Sequence, residues 1–319
     1  MGIKNFIKLI EKYSPSSITY TNISKYQNKI LGIDANLMIY KMVYAIRQNG
    51  YDIKNGNISV THIHTLLLKL IGFVKYNITP VFVFDGLAPQ IKNETLRKRK
   101  IVHKTAKKKY DEATTEEEKK KYYLRYEITD EEMNDCKQLI TMFNYSIIDS
   151  VEEADSQLVE LLNCGKIDYI VTDDMDILVF GGGNILKNFT VSSNKKIQEI
   201  NLAQFKKDTN LTQNMIIDVS ILMGCDYCAS AYGIGPIKSY ELIMKYGDIE
   251  GIIKKSHVEI NIDYKFTRTY FLKPNVIECK NLEKFKTFKK CDKEVVENFL
   301  KKWNFDDKYI DKICGICCG

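Results

Sequence analysis

The chain has 319 residues, 45% hydrophobic and 28% charged, a balance that excludes a disordered or fibrous chain and allows a sizeable core. No run approaches about 18 apolar residues, so no membrane span is expected. Charges interrupt the opening MGIKNFIKLIEK, which does not read as a signal peptide.

An intracellular chain is therefore expected, with its nine cysteines reduced. The pairs Cys225/Cys228 and Cys314/Cys317 leave two readings open, a shared structural zinc site or a few buried thiols. The net charge of +6 is unevenly spread. Nine basic residues and one acid lie between Gln90 and Lys109, and ten acids and four basic residues between Tyr110 and Asp135. Such a basic patch can steer a phosphate backbone or simply be a solvated helix surface.

In chain order, Ile3 to Ile10 reads as a short amphipathic element. Lys29 to Ile33 reads as a strand ending in Asp34, and Asn36 to Arg47 as a helix with Leu37, Met38, Ile39, Tyr40, Val43 and Tyr44 at helical spacing. Asn49 to Gly56 reads as a loop, His64 to Tyr76 as a helix, and Pro80 to Phe84 as a strand followed by Asp85 and the turn residue Gly86. Residues 91 to 135 predict a pair of charged helices projecting from the sheet, with Glu116 to Glu118 positioned to pair with Lys119 to Lys121. Ser146 to Asp149 predicts a strand, Glu153 to Asn163 a helix, and Asp168 to Val171 a strand leading into Thr172-Asp173-Asp174. Asn184 to Lys187 and Lys196 to Ile200 are further strand candidates. The chain beyond Thr212 is mainly helical, with irregular sequence between about 254 and 290. Strands alternating with helices predict an α/β fold, a mostly parallel central sheet flanked by helices.

The predicted strand ends repeatedly carry acids: Asp34, Asp85, and Asp174 with Asp176. Glu153 and Asp155 open a helix after the Ile147–Ile148 strand, and Asp226 follows the apolar run Val219 to Met223. In open α/β sheets the crevice beyond the carboxyl ends of the strands is the usual site. Clustered carboxylates suit divalent cations, which neutralise phosphate oxygens and generate hydroxide. Each acid also has a plainer reading: Asp34 as a helix cap, Asp85 as a turn former, Glu153 and Asp155 as first-turn acids, Asp174 and Asp176 as turn and cap residues, Asp226 as a surface acid. Tyr232-Gly233-Ile234-Gly235-Pro236 joins two predicted helices. Its glycines allow close approach, its N–H groups can bind a phosphate, and Lys238 adds a charge; a tight connection without a ligand is the alternative.

Together these segments resemble the flap endonuclease superfamily of structure-specific 5′ nucleases, over nearly the whole chain. The resemblance is carried in order by Met1-Gly2-Ile3, GIDAN around Asp34, VFVFDG around Asp85, EEADSQL with Glu153 and Asp155, TDDMDILVFGG with Asp174 and Asp176, and MGCDYCASAYGIGP with Asp226. It implies one nuclease domain over 1–319 with a PIN-like core. Its parts would be an N-terminal nuclease region (1–110), a helical gateway and cap (91–135), an internal nuclease region (136–253) holding a helix–two-turn–helix near 218–245, and a C-terminal accessory region (254–319). It implies two Mg²⁺ ions, with Mn²⁺ able to substitute. Asp34, Asp85 and Asp155 would lie near one ion, Asp174 and Asp176 near the other, with Glu153 and Asp226 completing the site. A K⁺ ion could bridge Gly233, Gly235 and a duplex phosphate. In IKNETLRKR, Lys92 and Arg99 match residues that contact the reacting phosphate, among the basic neighbours Arg97, Lys98 and Lys100. Tyr40 matches an aromatic that stacks near the scissile nucleotide. Gly2 matches an N-terminal glycine near the site, which would require removal of Met1.

The expected activity is 5′ flap endonuclease with 5′–3′ exonuclease activity on DNA, in replication or repair. The expected partner is DNA with a 5′ flap, gap, nick or free end, and the expected state a monomer. Alternatives are a 5′ exonuclease or junction-cutting relative, and a noncatalytic DNA-binding scaffold. Two departures bear on this. Asp155 stands where flap endonucleases often have glutamate and exonuclease-type relatives aspartate. The terminus CGICCG carries no clear sliding-clamp peptide, which argues against clamp dependence.

Overall fold

The computed structural model describes residues 2–3, 5–48, 51–115, 117–118, 122, 128–283, 285 and 287–318. Its strands are β1 (Ile18–Thr21), β2 (Ile30–Asp34), β3 (Lys54–Asn55), β4 (Ile58–Ser59), β5 (Thr79–Phe84), β6 (Ser146–Asp149), β7 (Tyr169–Val171), β8 (Asn184–Lys187) and β9 (Ile197–Asn201). The helices of the first half are α1 (Phe6–Tyr13), α2 (Ala35–Arg47), α3 (Thr61–Lys75), α4 (Asn93–Glu112) and α5 (Asp130–Met142). Those of the second half are α6 (Ala154–Asn163), α7 (Asp176–Phe180), α8 (Leu202–Thr209), α9 (Gln213–Met223), α10 (Pro236–Tyr246), α11 (Ile249–Lys255), α12 (Tyr264–Leu272), α13 (Lys293–Lys302) and α14 (Asp307–Cys317).

Seven strands form one sheet in the order β1-β9-β8-β7-β2-β5-β6. The five from β8 to β6 are parallel, while β8–β9 and β9–β1 are antiparallel. The sheet is mixed and mostly parallel. Parallel strands need both faces covered, and side-chain alternation accomplishes this: Val81 and Val83 enter one core, Phe82 and Phe84 the other. Each of these buried phenylalanines is worth about 1.5–3 kcal/mol of burial. Helices α1, α6, α7 and α9 to α12 cover the first face; α2, α3, α5, α13 and α14 cover the second.

Gly32 in β2 sets the height of α6. A Cβ there would overlap the side chains of Leu158 on α6 and Ile167. With no side chain at this position the tips of Leu158 and Ile167 rest directly on the strand, and α6 is the helix that begins with Glu153 and Asp155.

Several expectations need correction. The 49–56 loop includes part of the β3–β4 hairpin, which closes around Gly56 at φ +63°. Strand β1 has no counterpart among the expected elements, and α12 lies in the stretch read as irregular. Residues 116, 119–121 and 123–127 fall outside the described residues, so the Glu116–Lys121 pairing and the second projecting helix do too. Thr129 and Glu132 form a capping box that starts α5 at Asp130, and Cys136, Leu139 and Ile140 carry α5 into the core. The projecting segment thus ends before 135. The two CxxC pairs do not meet: Cys225 and Cys228 pack on one core, Cys314 and Cys317 in the other.

Candidate active site

Three neighbouring parallel strands deliver the first acids. Asp34 ends β2, Asp85 follows β5, and Asp174 follows β7, all at the same edge of the sheet. Asp34 is both a helix cap and a site acid. Its Oδ1 accepts from Leu37 N at 3.1 Å and its Oδ2 from the Thr172 hydroxyl at 2.9 Å. Asp85 Oδ1 accepts from Ala154 N at 2.9 Å, tying the end of β5 to the start of α6, while the Asp85 N–H donates to Asn36 Oδ1 at 3.0 Å.

Helix α6 supplies Glu153 at its N-cap and Asp155 in its first turn. Glu153 is buried and accepts from both Lys92 Nζ and the Tyr227 hydroxyl. Among the described residues, Asp155 Oδ1 is buried without a hydrogen-bond partner. Asp226 Oδ2 accepts from Arg99 at 2.6 Å and lies 3.6 Å from Lys92 Nζ. The Thr95 hydroxyl donates to the Asp226 carbonyl at 2.7 Å, fixing α4 against this turn.

Asp34, Asp85, Glu153, Asp155, Asp174 and Asp226 line one open cavity of about 400 Å³, together with Tyr40, Lys92 and Arg99. Asp176 does not line it. This acid is 2% exposed and accepts from Ile3 N at 2.9 Å, while its own N–H donates to Asp174 Oδ1 at 3.1 Å. Gly2, at φ +72°, packs against both: a Cβ there would overlap the carboxylates of Asp174 and Asp176. Met1 is outside the described residues.

Burial and crowding raise the proton affinity of Asp34, Glu153, Asp155 and Asp176. Burial, then the charge of Asp85, pushes Asp34 up to about 7. Burial, then Asp174, raises Asp155 and Asp176 well above the carboxylate range. Burial also raises Glu153, opposed by Lys92. Buried acids that repel one another, one oxygen unpartnered and every donor an oxygen, fit a hard divalent cation such as Mg²⁺ or Mn²⁺.

The basic residues sort by helix face. Lys92 and Arg99 turn toward the cavity, while Arg97, Lys98 and Lys100 are exposed, Lys98 pairing with Glu94 at 2.5 Å. Tyr40 lines the cavity wall and stacks on Tyr44 at 5.8 Å between ring centroids.

Away from the acids, α9 and α10 form the helix–two-turn–helix. Gly233 takes φ +68°, Gly235 caps α10, and Pro236 is its first residue. Gly233, Gly235 and Lys238 are exposed, with Lys238 Nζ 3.4 Å from the Gly233 carbonyl. Arg268 on α12 braces α9 and α11 by bonding Asp218, at 2.7 and 2.9 Å, and Glu250, at 2.8 Å.

Three supporting residues escaped the sequence reading: Tyr227, Thr172 and Asn36. Tyr227 and Thr172 stand within three residues of a site acid in GCDY and VTDD. Adjacency is the only signal they give.

The sequence matches the XPG N-terminal domain over residues 1–106 and the XPG I-region over residues 144–226. It is 35% identical to flap endonuclease 1 of Salmo salar over 301 residues, 89% of this chain and 78% of that protein. It is 33% identical to flap endonuclease 1 of Brugia malayi, over 96% of this chain and 84% of that protein. The fold superposes on the catalytic core of Rad2, solved in complex with DNA substrate, with a TM-score of 0.76 and 22% identity over 98% of each chain. Strand-end acids, the helix–two-turn–helix and these matches agree: the chain belongs to the XPG/flap endonuclease superfamily of structure-specific nucleases.

Proposed function

We propose that this chain hydrolyses DNA phosphodiesters at 5′ flaps, with 5′–3′ exonuclease activity at nicks, gaps and free ends, in replication or repair. One observation carries the reading: six acids from distant parts of the chain converge on one cavity that also holds Lys92 and Arg99. Asp34, Asp85 and Asp155 would hold one Mg²⁺, and Asp174, backed by Asp176, a second, with Glu153 and Asp226 completing the set. Divalent ions bound there supply charge neutralisation for the phosphate and a water acidified toward hydroxide.

The chain's own residues do the rest. Lys92 and Arg99 release Glu153 and Asp226 to bind the reacting phosphate and stabilise its charge. Glu153, held by Tyr227, remains oriented at the cavity edge. Tyr40 offers a ring face to the nucleotide beside the cut. The exposed basic residues of α4 (Arg97, Lys98, Lys100) guide the single strand and act as part of a gateway and cap. The exposed backbone N–H groups of Gly233 and Gly235, with Lys238, hold a duplex phosphate, where a K⁺ ion would add positive charge. On this reading residues 1–319 form one nuclease domain, with residues 254–319 as its accessory region. Among the described residues no helix is long and apolar enough to cross a membrane.

End-labelled 5′-flap, nicked and gapped DNA, incubated with and without Mg²⁺, tests the proposal. Short flap products that require Mg²⁺ and vanish with Asp34→Ala are expected. A folded protein that leaves all three substrates intact overturns it. Product length addresses the reading that Asp155 favours: mononucleotides released from blunt or recessed ends, with flaps uncut, identify a 5′ exonuclease.

A further inference from the structure

Helix α6 carries Glu153 and Asp155 at its N-terminus and a different donor set at the other end. Glu160 and Cys164 are one turn apart and share a face. A short 3₁₀ turn, Cys279–Asn281, brings Cys279 against them. One carboxylate oxygen and the two sulfurs all lie within 4.8 Å of one another. Cys164 Sγ is 3.4 Å from Glu160 Oε1, and the Cys279 N–H donates to that oxygen at 3.4 Å.

The arrangement is built rather than incidental. Gln157, fully buried one turn earlier, donates to the Ile277 carbonyl at 3.0 Å and accepts from Ile277 N at 2.7 Å. This two-point grip fixes the register of the 277–279 segment on α6, and with it the position of Cys279. None of the three donors lines the acidic cavity. Glu160 lies about 7–8 Å along the helix axis from Asp155.

We infer that Glu160, Cys164 and Cys279 form a site for one thiophilic divalent cation of the zinc type, separate from the acidic cavity. Two thiolates and a carboxylate select a borderline-soft ion, whereas the all-oxygen cavity selects a hard one. A tetrahedral ion with Zn–S of about 2.3 Å and Zn–O of about 2.0–2.2 Å spaces its donors about 3.5–3.8 Å apart. The Cys164–Glu160 distance of 3.4 Å is within about 0.1 Å of that range. Cys279 joins by turning its sulfur from the Glu160 carbonyl, 3.5 Å away, toward the ion. Each thiol gives its proton to solvent on ligation. A water takes the fourth position, and exposed Cys164 provides the entry path. The bound ion would cross-link the 277–281 segment to α6.

Cobalt reports the donor type. The full chain, reduced and stripped of metal, is titrated with Co²⁺ in saturating Mg²⁺. Thiolate-to-cobalt charge transfer with tetrahedral visible bands is expected, saturating at one ion per chain and bleached by Zn²⁺. Cys164→Ser and Cys279→Ser should each remove the thiolate absorption. Asp34→Asn, which alters only the acidic cavity, and Cys225→Ser, which removes another thiol pair, should keep it. Circular dichroism of each variant establishes that it is folded. Wild-type protein without thiolate absorption overturns the inference. So does absorption that survives in the folded Cys164→Ser, Cys279→Ser double variant.

Discussion

Replacing Asp34 by asparagine should stabilise the metal-free protein at alkaline pH while disabling it. The asparagine side chain keeps the shape and can still cap α2, but it removes one charge from the crowd. The carboxyl of Asp34 is pushed up to about 7 from its ordinary 3.8, by burial and then by Asp85. Each unit is worth about 1.4 kcal/mol, so full ionisation in the folded, metal-free chain costs about 4 kcal/mol. The folded state holds this proton more tightly than the unfolded state. The residue's penalty is therefore absent below about pH 4, grows as pH rises, and is complete above about pH 7. Between pH 5 and pH 8 the wild type should lose about 2–3 kcal/mol through this residue alone. Urea unfolding in EDTA, followed by circular dichroism and by the fluorescence of Trp303, measures this at each pH. Subtracting the variant cancels the titrating groups that do not face Asp34; Asp155, which the Asp34 charge raises, adds to the difference in the same direction. The difference should move by at least that amount in favour of Asp34→Asn at pH 8, and Mg²⁺ should reverse it. A difference that stays flat from pH 5 to pH 8 refutes the argument that charge crowding destabilises the empty site.

Arg99→Ala should lower kcat by about 10²–10³, the range for losing one transition-state donor. Lys98→Ala, exposed on the outer face of α4, should mainly raise a salt-dependent KM; single-turnover kinetics on a flap substrate separate the two. Tyr227→Phe removes the hydroxyl that donates to Glu153, at a cost of about 1–2 kcal/mol; the Mg²⁺ half-saturation should rise several-fold, with most activity recovered at high Mg²⁺. Gly32→Ala should destabilise by about 1–3 kcal/mol through overpacking against Leu158 and Ile167. It should also slow cleavage at temperatures where the variant remains folded, because α6 carries Glu153 and Asp155 away from their places; thermal melts and activity measured together check this.

The strand-end acids Asp34, Asp85 and Asp174 were legible because two independent patterns coincide at each, whereas Glu153, Asp155 and Asp226 rested on the order of the motifs. Apolar strands such as VFVF end in a carboxylate, and the parallel order brings those ends to one edge. Arg99 is distinguished from Arg97, Lys98 and Lys100 by helix face, since it lies two turns from Lys92; without knowing where α4 starts, that periodicity has no origin. Asp176 shows what the motif leaves unsaid. Its sequence position pairs it with Asp174, which its N–H does contact, while its carboxylate accepts from Ile3 N instead of lining the cavity. Tyr227 could not be read as a site residue, because its partner Glu153 is distant in sequence and a tyrosine beside an acid has many ordinary uses. Strand β1 is only four residues long and pairs with β9 across most of the chain, so no local pattern announces it. The CxxC pairs share a spacing but not a face of the sheet, which spacing cannot reveal.

The cavity wall is not finished until the turn bearing Asp226 and Tyr227 has docked, and the first acid of that wall in chain order is Asp34. A nascent polypeptide emerging from the ribosome therefore carries most of the acids well before they can be gathered. Since Glu153 leans on Tyr227 and Arg99 on Asp226, cutting power should arrive as a single late event in synthesis, and partial chains should pass harmlessly among the nucleic acids around them.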